Sequence, residues 1–244
     1  MIFNSDVMAR KEKNSPIEIN RETLSKGILQ KLVIERADQP VKLLNEEELL
    51  QSRRHFIKDD HSGEDVWIFG YGSLIWNPSF DFDIRKQAYL FGYHRRFCLR
   101  TTITRGSPEK PGLVLGLDRG GSAKGIIFRM PASIAAKECD VIWKREMLSG
   151  AYDPSWVKVK SQDGEVLKAI TFVIRRDHPS FAARQPESQC VKIIAEASGI
   201  LGSNSEYLFN TNAALYAEGI NDFSLKRLSA LVEQYQSELC YAQV

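Results

Sequence analysis

An apolar run at Val66–Trp76 is interrupted by a turn that contains two glycines, Gly70 and Gly72. The residues before the turn, Val66–Phe69, are β-branched or aromatic, and such a run favours a buried strand. Because glycine lacks a Cβ, the chain can bend sharply here and a ligand can approach the backbone closely. Successive N–H groups in such a turn suit an anion, such as a carboxylate. The alternative is a turn whose glycines serve only geometry.

Strand-like segments follow this run, and helical segments follow from Pro186 onwards. The predicted strands are 87–102 with a bulge or a point of close approach at Gly92, a hairpin of 113–117 and 124–129 turning through 118–121, and 157–160 with 169–175. The predicted helices are 131–150, 188–199, 205–217 and 224–241. This order predicts an α+β fold whose mixed or antiparallel sheet can close into a small barrel. A doubly wound sheet is disfavoured because strands and helices do not alternate and the glycines miss the G-x-G-x-x-G spacing.

The first sixty-five residues are rich in charge and poor in aromatic side chains. Arg21–Glu35 repeats apolar residues at steps of four, which predicts one amphipathic helix whose apolar face comprises Leu24, Ile28 and Leu32. We interpret residues 1–65 as a helical extension that packs on the surface of the domain 66–244 or on a partner protein. The alternative is a partly disordered tail.

A second helix of the extension is predicted to begin after Asn45. Asn45 and Glu48 have the spacing of an N-cap residue followed by a glutamate that bonds back to it. Its apolar side comprises Leu49, Leu50 and Phe56. The polar segment Lys58–Asp65 is then expected to link this helix to the first strand.

The overall charge and the placement of cysteine and histidine exclude several classes of function. Lysine and arginine total 33 against 31 aspartates and glutamates, which gives no electrostatic case for nucleic acid or an anionic membrane as the main partner. No apolar run has transmembrane length. The scattered cysteines predict reduced thiols in the cytoplasm, and the scattered histidines predict no metal site. These residues are Cys98, Cys139, Cys190, Cys240, His55, His61, His94 and His178.

One acidic residue breaks the helical pattern of 131–150. The predicted apolar face comprises Ala135, Cys139, Ile142 and Trp143, and the charged face comprises Lys137, Asp140 and Lys144, flanked by Glu138 and Arg145. Glu146 falls in the middle of the apolar face, where a carboxylate is costly unless it is paired or protonated. Such perturbed acids cluster at functional sites, although structural networks also produce them. Glu146 is therefore a candidate functional residue, and a structurally bonded or frayed Glu146 is the alternative.

Ser73 is a candidate nucleophile because it directly follows a strand and a turn. The nucleophile elbow G-x-S-x-G needs glycine two residues before and two after the serine, and this chain has Tyr71 and Ile75 there. The elbow pattern therefore fails. We interpret Ser73 as a hydroxyl or backbone donor to a ligand.

Several blocks of this sequence together resemble the ChaC family, the glutathione-specific γ-glutamylcyclotransferases. They are Val66–Trp76, Tyr93–Phe97, Arg105–Pro108 with Lys110–Gly112, Gly125 with Phe128–Pro131, Arg145-Glu146, and Gly202–Leu208. The resemblance begins at about Val66 and leaves out the first sixty-five residues. It implies a γ-glutamylcyclotransferase-like fold, built on a small mixed β-barrel with surrounding helices.

The resemblance also implies an activity and a site. The implied enzyme is a lyase that cleaves glutathione to 5-oxoproline and cysteinylglycine without a cofactor, with Glu146 as the catalytic acid/base. The γ-glutamyl group would bind at the residues Ile68, Phe69, Gly70, Tyr71, Gly72, Ser73 and Tyr207. One alternative is a cyclotransferase for other γ-glutamyl amino acids or amines. Another is a non-catalytic regulatory protein that presents its N-terminal helices to a partner.

Overall fold

A closed barrel of five strands forms the centre of the protein, which is described here from a computed structural model of residues 17–35, 42–59 and 63–242. The strands are β1 (Val66–Gly70), β2 (Ile84–Thr101), β3 (Gly112–Met130), β4 (Tyr152–Ser161) and β5 (Val166–Ile174). Their order around the barrel is β1-β3-β2-β4-β5. β1 runs antiparallel to β3 and parallel to β5, so the sheet is mixed. The predicted α+β fold with a small mixed barrel is confirmed.

The predicted hairpin within residues 113–129 is wrong. Both of its arms belong to the single strand β3, which pairs with β2 along almost its whole length. The pairing passes from Phe91↔Ser122 to Tyr93↔Arg119, so Gly120 and Gly121 together face Gly92. Two residues opposite one define a β-bulge. The glycines therefore make an irregularity inside a long strand rather than a turn. Of the two alternatives for Gly92, the bulge is confirmed in position, although its extra residue belongs to β3, and among the described residues no atom beyond its chain neighbours lies within 4 Å of a Cβ placed on Gly92.

Helices cover the barrel and follow the predicted order, with a short strand pair between two of them. They are α4 (Ala132–Glu146), α5 (Glu187–Glu196), α6 (Asn204–Ala217) and α7 (Phe223–Tyr241), after α1 (Arg21–Ser25), α2 (Ile28–Glu35) and α3 (Glu46–Phe56). The strand pair is β6 (Ser198–Gly199) and β7 (Gly202–Ser203). Helix α4 ends four residues before the predicted boundary, which leaves Glu146 as its last residue.

The single helix predicted for residues 21–35 is divided in two. Helices α1 and α2 are separated by Lys26 and Gly27, and Gly27 has a φ of +64°, which glycine adopts without steric cost. After this break the buried residues are Leu29 and Val33 instead of the predicted Ile28 and Leu32. The apolar face therefore shifts by one residue, although Leu24 is buried as expected.

Helix α3 begins as its sequence predicts. Asn45 accepts a hydrogen bond from the Glu48 N–H at 2.9 Å, and the Glu48 carboxylate accepts one from the Asn45 N–H at 2.8 Å. Residues 60–62 of the predicted linker lie outside the described residues.

The N-terminal helices α1 and α2 pack on the rest of the chain. Their buried side chains join a second apolar cluster, here called the N-terminal cluster, which comprises Leu24, Leu29, Val33, Ile103, Val141, Leu148, Ile200 and Leu201. The Ile17 N–H donates to the Ile200 carbonyl at 2.8 Å. For residues 17–35 the tail alternative is therefore wrong, and these residues pack on the domain surface.

Candidate active site

One cavity of about 430 Å³ lies between the turn after β1, the end of α4 and the start of α6. Of the predicted site residues, Ser73, Glu146 and Tyr207 line it. Its volume falls within the usual range for small-molecule sites, roughly 300–1,000 Å³. The structure therefore brings together one residue from each of three predicted blocks that are far apart in sequence.

The predicted residues before Ser73 lie behind the wall of this cavity. Ile68 and Phe69 are fully buried in the barrel core. Tyr71 is buried as well, and its hydroxyl donates to the Phe172 carbonyl at 2.9 Å. These side chains therefore fix the position of the turn without lining the cavity.

The two glycines of the turn are each in close contact with a neighbouring side chain. A Cβ on Gly72 would lie 3.2 Å from the Tyr207 hydroxyl oxygen, and a Cβ on Gly70 would lie 3.1 Å from the Phe128 ring. Both distances are tighter than ordinary van der Waals contact, so a side chain here would displace a neighbour. Packing alone therefore accounts for Gly70, whereas Gly72 lets Tyr207 of the cavity wall approach the turn.

Glu146 occupies the end of α4 on its apolar face. The predicted face is confirmed, because Ala135, Cys139, Ile142 and Trp143 are at most 1 % exposed. The Glu146 side chain is 14 % exposed and lies 3.1 Å from Arg145, measured from Oε1 to Nε. Burial raises the pKa of Glu146, and the positive charge of Arg145 opposes this increase. Glu146 is thus a carboxylate with enhanced basicity at the edge of a cavity.

Arg145 is buried, although the sequence placed it on the flank of the charged face. Its side chain is 5 % exposed and donates to the Asn77 carbonyl and to Ser79 Oγ. The loop that follows β1 covers this end of α4 and supplies both acceptors. A helical wheel shows only the faces of one helix, so it misses such a loop.

Tyr207 is held at the start of α6. Ser203 caps this helix. The side-chain amide of Asn204 accepts a hydrogen bond from the Leu113 N–H and donates one to the Leu113 carbonyl, which ties the helix to β3. The Tyr207 hydroxyl accepts a hydrogen bond from the Leu115 N–H at 3.4 Å. Burial raises the pKa of Tyr207, and the Glu146 charge contributes to the increase. Tyr207 is therefore a neutral hydroxyl on the cavity wall.

Glu138 lies eight residues before Glu146 on the same helix, is more deeply buried, and has a pKa shifted in the opposite direction. The sequence placed it on a flank, yet it is 1 % exposed and binds Arg21 through two short hydrogen bonds of 2.5 and 2.6 Å. Burial acts to raise the pKa of Glu138, but the bonds from Arg21 and the Asp81 N–H outweigh it and lower the pKa. Glu138 is therefore an ionised structural carboxylate.

Sequence reasoning missed several residues around the cavity. Tyr152 and Asn77 line it, as do Ile17 and Ile19 from the N-terminal extension. The proximity of Arg145 to Glu146 in sequence was a usable signal for the ion pair. Nothing in the pattern of the extension indicates a role at this cavity, because that role depends on a contact across the fold.

Metal-binding clusters and membrane-spanning helices are both absent from the residues that the structure describes. Among them, no group of three or more His, Cys, Asp or Glu side chains is arranged to hold a metal ion. No helix within 17–35, 42–59 or 63–242 has the length and apolar character that a membrane crossing requires. The four cysteines are free, as predicted, and burial raises the pKa of Cys98 to about 11.

Comparison with known proteins identifies relatives of this chain. The family described as "ChaC-like protein" matches residues 66–235. The glutathione-specific gamma-glutamylcyclotransferase of Escherichia coli (strain K12) is 39 % identical over 173 residues, which cover 71 % of this chain and 75 % of that protein. Glutathione-specific gamma-glutamylcyclotransferase 1 of Homo sapiens is 33 % identical over 157 residues, covering 63 % and 71 %.

A solved structure with the same fold is the yeast gamma-glutamyl cyclotransferase specific to glutathione. It superposes with a TM-score of 0.66 at 23 % identity, over 71 % of this chain and 98 % of that one. Because the sequence identity is only 23 %, this similarity shows that the two chains share a fold and shows nothing further.

Proposed function

Because the chain belongs to the ChaC-like family, we propose that it is a glutathione-specific γ-glutamylcyclotransferase, which converts glutathione to 5-oxoproline and cysteinylglycine. The relatives with this activity in their names cover most of the domain. The observation that carries the proposal is the position of Glu146, a partly buried carboxylate of raised pKa that shares one cavity with Ser73 and Tyr207. Such a group is the one this reaction needs.

Glu146 acts as the acid/base in this proposal. The α-ammonium of the γ-glutamyl group must lose a proton before its nitrogen attacks the γ-carbonyl carbon. That attack forms the lactam C–N bond of 5-oxoproline, and the bond from the γ-carbonyl to the cysteine nitrogen then breaks. The departing cysteine nitrogen takes up the proton that Glu146 accepted. After the attack the ring nitrogen still carries two hydrogens, and the second of these also passes through Glu146 to the cysteine nitrogen. Two protons thus leave the α-ammonium, two reach the departing amine, and the carboxylate is regenerated. A positioned acid/base of this kind typically contributes about 10²–10⁴-fold to the rate.

The turn at Gly70–Ser73 would hold the α-carboxylate of the substrate. Ser73 begins a single turn of 3-10 helix, and the first N–H groups of such a turn have no partner within it. Ser73 lines the cavity, which supports its N–H and hydroxyl groups as donors to this carboxylate. Ile68, Phe69 and Tyr71 support the turn from the barrel core, and Tyr207 completes the wall beside Gly72.

Confinement of the substrate supplies a second contribution to the rate. The attacking amine and the γ-carbonyl belong to the same γ-glutamyl group, so holding this group folded brings them together. Well-oriented intramolecular reactions reach effective molarities of about 10⁵–10⁸ M. In this scheme one carboxylate and a fixed substrate conformation account for every bond change.

Replacement of Arg145 by Gln is expected to move the acid limb of the kcat/KM profile to higher pH. Glu146 must be ionised to accept the proton, and its pKa is already raised from 4.5 by burial. Removal of the adjacent positive charge disfavours the ionised form further, so the pKa rises again. The measurement is kcat/KM for glutathione against pH.

Lys144→Gln is the control for this prediction. It removes a positive charge one residue earlier in the chain, where the lysine pairs with Glu46, and it should leave the acid limb in place. An unshifted limb in Arg145→Gln contradicts the assignment of Glu146 as the base.

The direct test of the function is incubation of the purified protein with glutathione, followed by detection of 5-oxoproline and cysteinylglycine. We expect equal amounts of the two products. γ-Glutamyl-alanine is the matched comparison, because it offers the same γ-glutamyl group without the Cys-Gly leaving group. Turnover of γ-glutamyl-alanine at a kcat/KM equal to that for glutathione contradicts glutathione specificity, and favours a general γ-glutamyl cyclotransferase.

We also propose that residues 66–244 form the catalytic domain, that residues 1–65 extend it, and that the protein acts in the cytoplasm. The family match, which begins at Val66, supports the division. The four free cysteines support a reducing compartment. The alternative of helices presented to a partner protein gains no support, because Leu24, Leu29 and Val33 are buried within the chain itself.

A further inference from the structure

The extension lines the candidate active site, although it lies outside the region shared with the family. Residues 17–35 and Leu43 precede the family match at Val66. Their contributions to the cavity wall are Ile17, Glu18, Ile19, Leu29, Val33 and Leu43. All but Glu18 are apolar. One side of the cavity is therefore a mostly apolar surface that the rest of the domain does not supply.

The first segment of this surface, residues 17–19, is fixed in place on both sides. The Ile17 N–H donates to the Ile200 carbonyl at 2.8 Å, and Arg21 forms its two short bonds with buried Glu138. Between these points, the Asn77 amide donates to the Ile19 carbonyl at 2.7 Å. Backbone bonds and a buried carboxylate are interactions of a built wall rather than of a chance contact.

The same contacts lead directly to Glu146. Asn77, whose side chain bonds the Ile19 carbonyl, accepts a hydrogen bond from Arg145 through its own carbonyl. Arg145 in turn lies 3.1 Å from Glu146. The extension is thus linked to Glu146 through two intervening residues, Asn77 and Arg145.

The position of this surface identifies the part of the substrate that it faces. In the proposed function the γ-glutamyl group occupies the end formed by Ser73, Glu146 and Tyr207. The leaving group must then lie in the remaining space, which is bounded by the extension and by residues 99–105. The cysteine side chain suits an apolar wall, and Arg100 on the same cavity suits the terminal carboxylate of a Cys-Gly group.

We infer that the apolar wall formed by Ile17, Ile19, Leu29 and Val33 contacts the Cys-Gly half of glutathione and selects it as the leaving group. The inference rests on the proposed function. It assigns a role in substrate specificity to the extension, a part of the chain that the family match does not include.

Two matched variants test this wall. Leu29 and Leu24 are both buried in the N-terminal cluster, at 5 % and 2 % exposed, but only Leu29 lines the cavity. Leu29→Ala should lower kcat/KM for glutathione by about tenfold or more, since a missing apolar contact of this size costs at least that in a pocket. It should leave kcat/KM for γ-glutamyl-alanine nearly unchanged. Both substitutions should lower the Tm by similar amounts. Leu24→Ala should leave the ratio of kcat/KM for glutathione to kcat/KM for γ-glutamyl-alanine at its wild-type value.

The outcomes separate this inference from the proposed function. An unchanged substrate ratio in Leu29→Ala, or the same change in Leu24→Ala, overturns the inference and leaves the function standing. If the wild-type protein releases no 5-oxoproline from either substrate, the proposed function fails. Calorimetric titration with glutathione then decides on the wall: weaker binding by Leu29→Ala than by Leu24→Ala supports it, and equal or absent binding overturns it.

Discussion

Replacement of Glu146 by Gln is expected to lower kcat for release of 5-oxoproline from glutathione by about 10²–10⁴-fold. Glutamine keeps the shape of the side chain and removes its ability to accept a proton. The carboxylate is partly shielded from solvent at 14 % exposure, so bulk water is poorly placed to replace it as the base. Arg145 loses its ion pair in this variant but keeps its hydrogen bonds to the Asn77 carbonyl and to Ser79 Oγ, so we expect the folded state to persist. The measurements are steady-state kinetics and a thermal unfolding curve.

Asp118→Asn is the matched control for Glu146→Gln. Asp118 is also a buried carboxylate, at 5 % exposed, but it lies in a second cavity and is held by Arg96 and Arg176. Burial acts to raise the pKa of Asp118, and the two arginines outweigh it and lower the pKa. Its loss should reduce stability and leave kcat near the wild-type value. A folded Glu146→Gln enzyme with wild-type kcat contradicts the role of Glu146.

Replacement of Arg21 by Ala is expected to lower the free energy of unfolding by about 2–3 kcal/mol, which is below the range of about 3–5 kcal/mol for breaking a fully buried pair. The Glu138 side chain is 2 % exposed and would lose its main cationic partner. Arg21 itself is 35 % exposed, so solvent screens part of the interaction. The measurement is equilibrium unfolding in urea at pH 7.

Two comparisons make this prediction specific. Lys26→Ala breaks an exposed pair with Glu22 in the same segment, and should change the free energy of unfolding by only about 0.3–0.5 kcal/mol. The loss in Arg21→Ala should also depend on pH. The folded-state pKa of Glu138 is lowered from 4.5, so its contribution is present above that value and is lost as the pH falls below it. Equal losses at pH 7 in both variants contradict an anchoring role for Arg21.

Local patterns were sufficient for most of the elements. The β-branched and aromatic run at Val66–Phe69 is a strand, and the Asn45–Glu48 spacing begins a helix, because both signals act between neighbours in the chain. The hairpin assigned to 118–121 failed for the same reason. Glycine pairs occur in turns and in bulges alike, and only the partner strand distinguishes them.

The candidate site was predictable in part. Glu146 was found because a carboxylate on an apolar helix face is costly, and this cost is visible in the helix alone. Arg145 and Glu138 were misplaced because their burial is produced by a loop and by the extension. Neither of these belongs to the helix.

The sequence by itself determined the α+β character of this protein, the strand and turn before Ser73, and the anomalous position of Glu146. The reason is that helical and strand periodicity is read over a few residues. Only the tertiary structure decided that Arg21 pairs with Glu138, across 117 positions, and that the extension lines the cavity. Such contacts join segments that are far apart in the chain and whose local sequence patterns are independent. They can therefore be identified only in the folded protein.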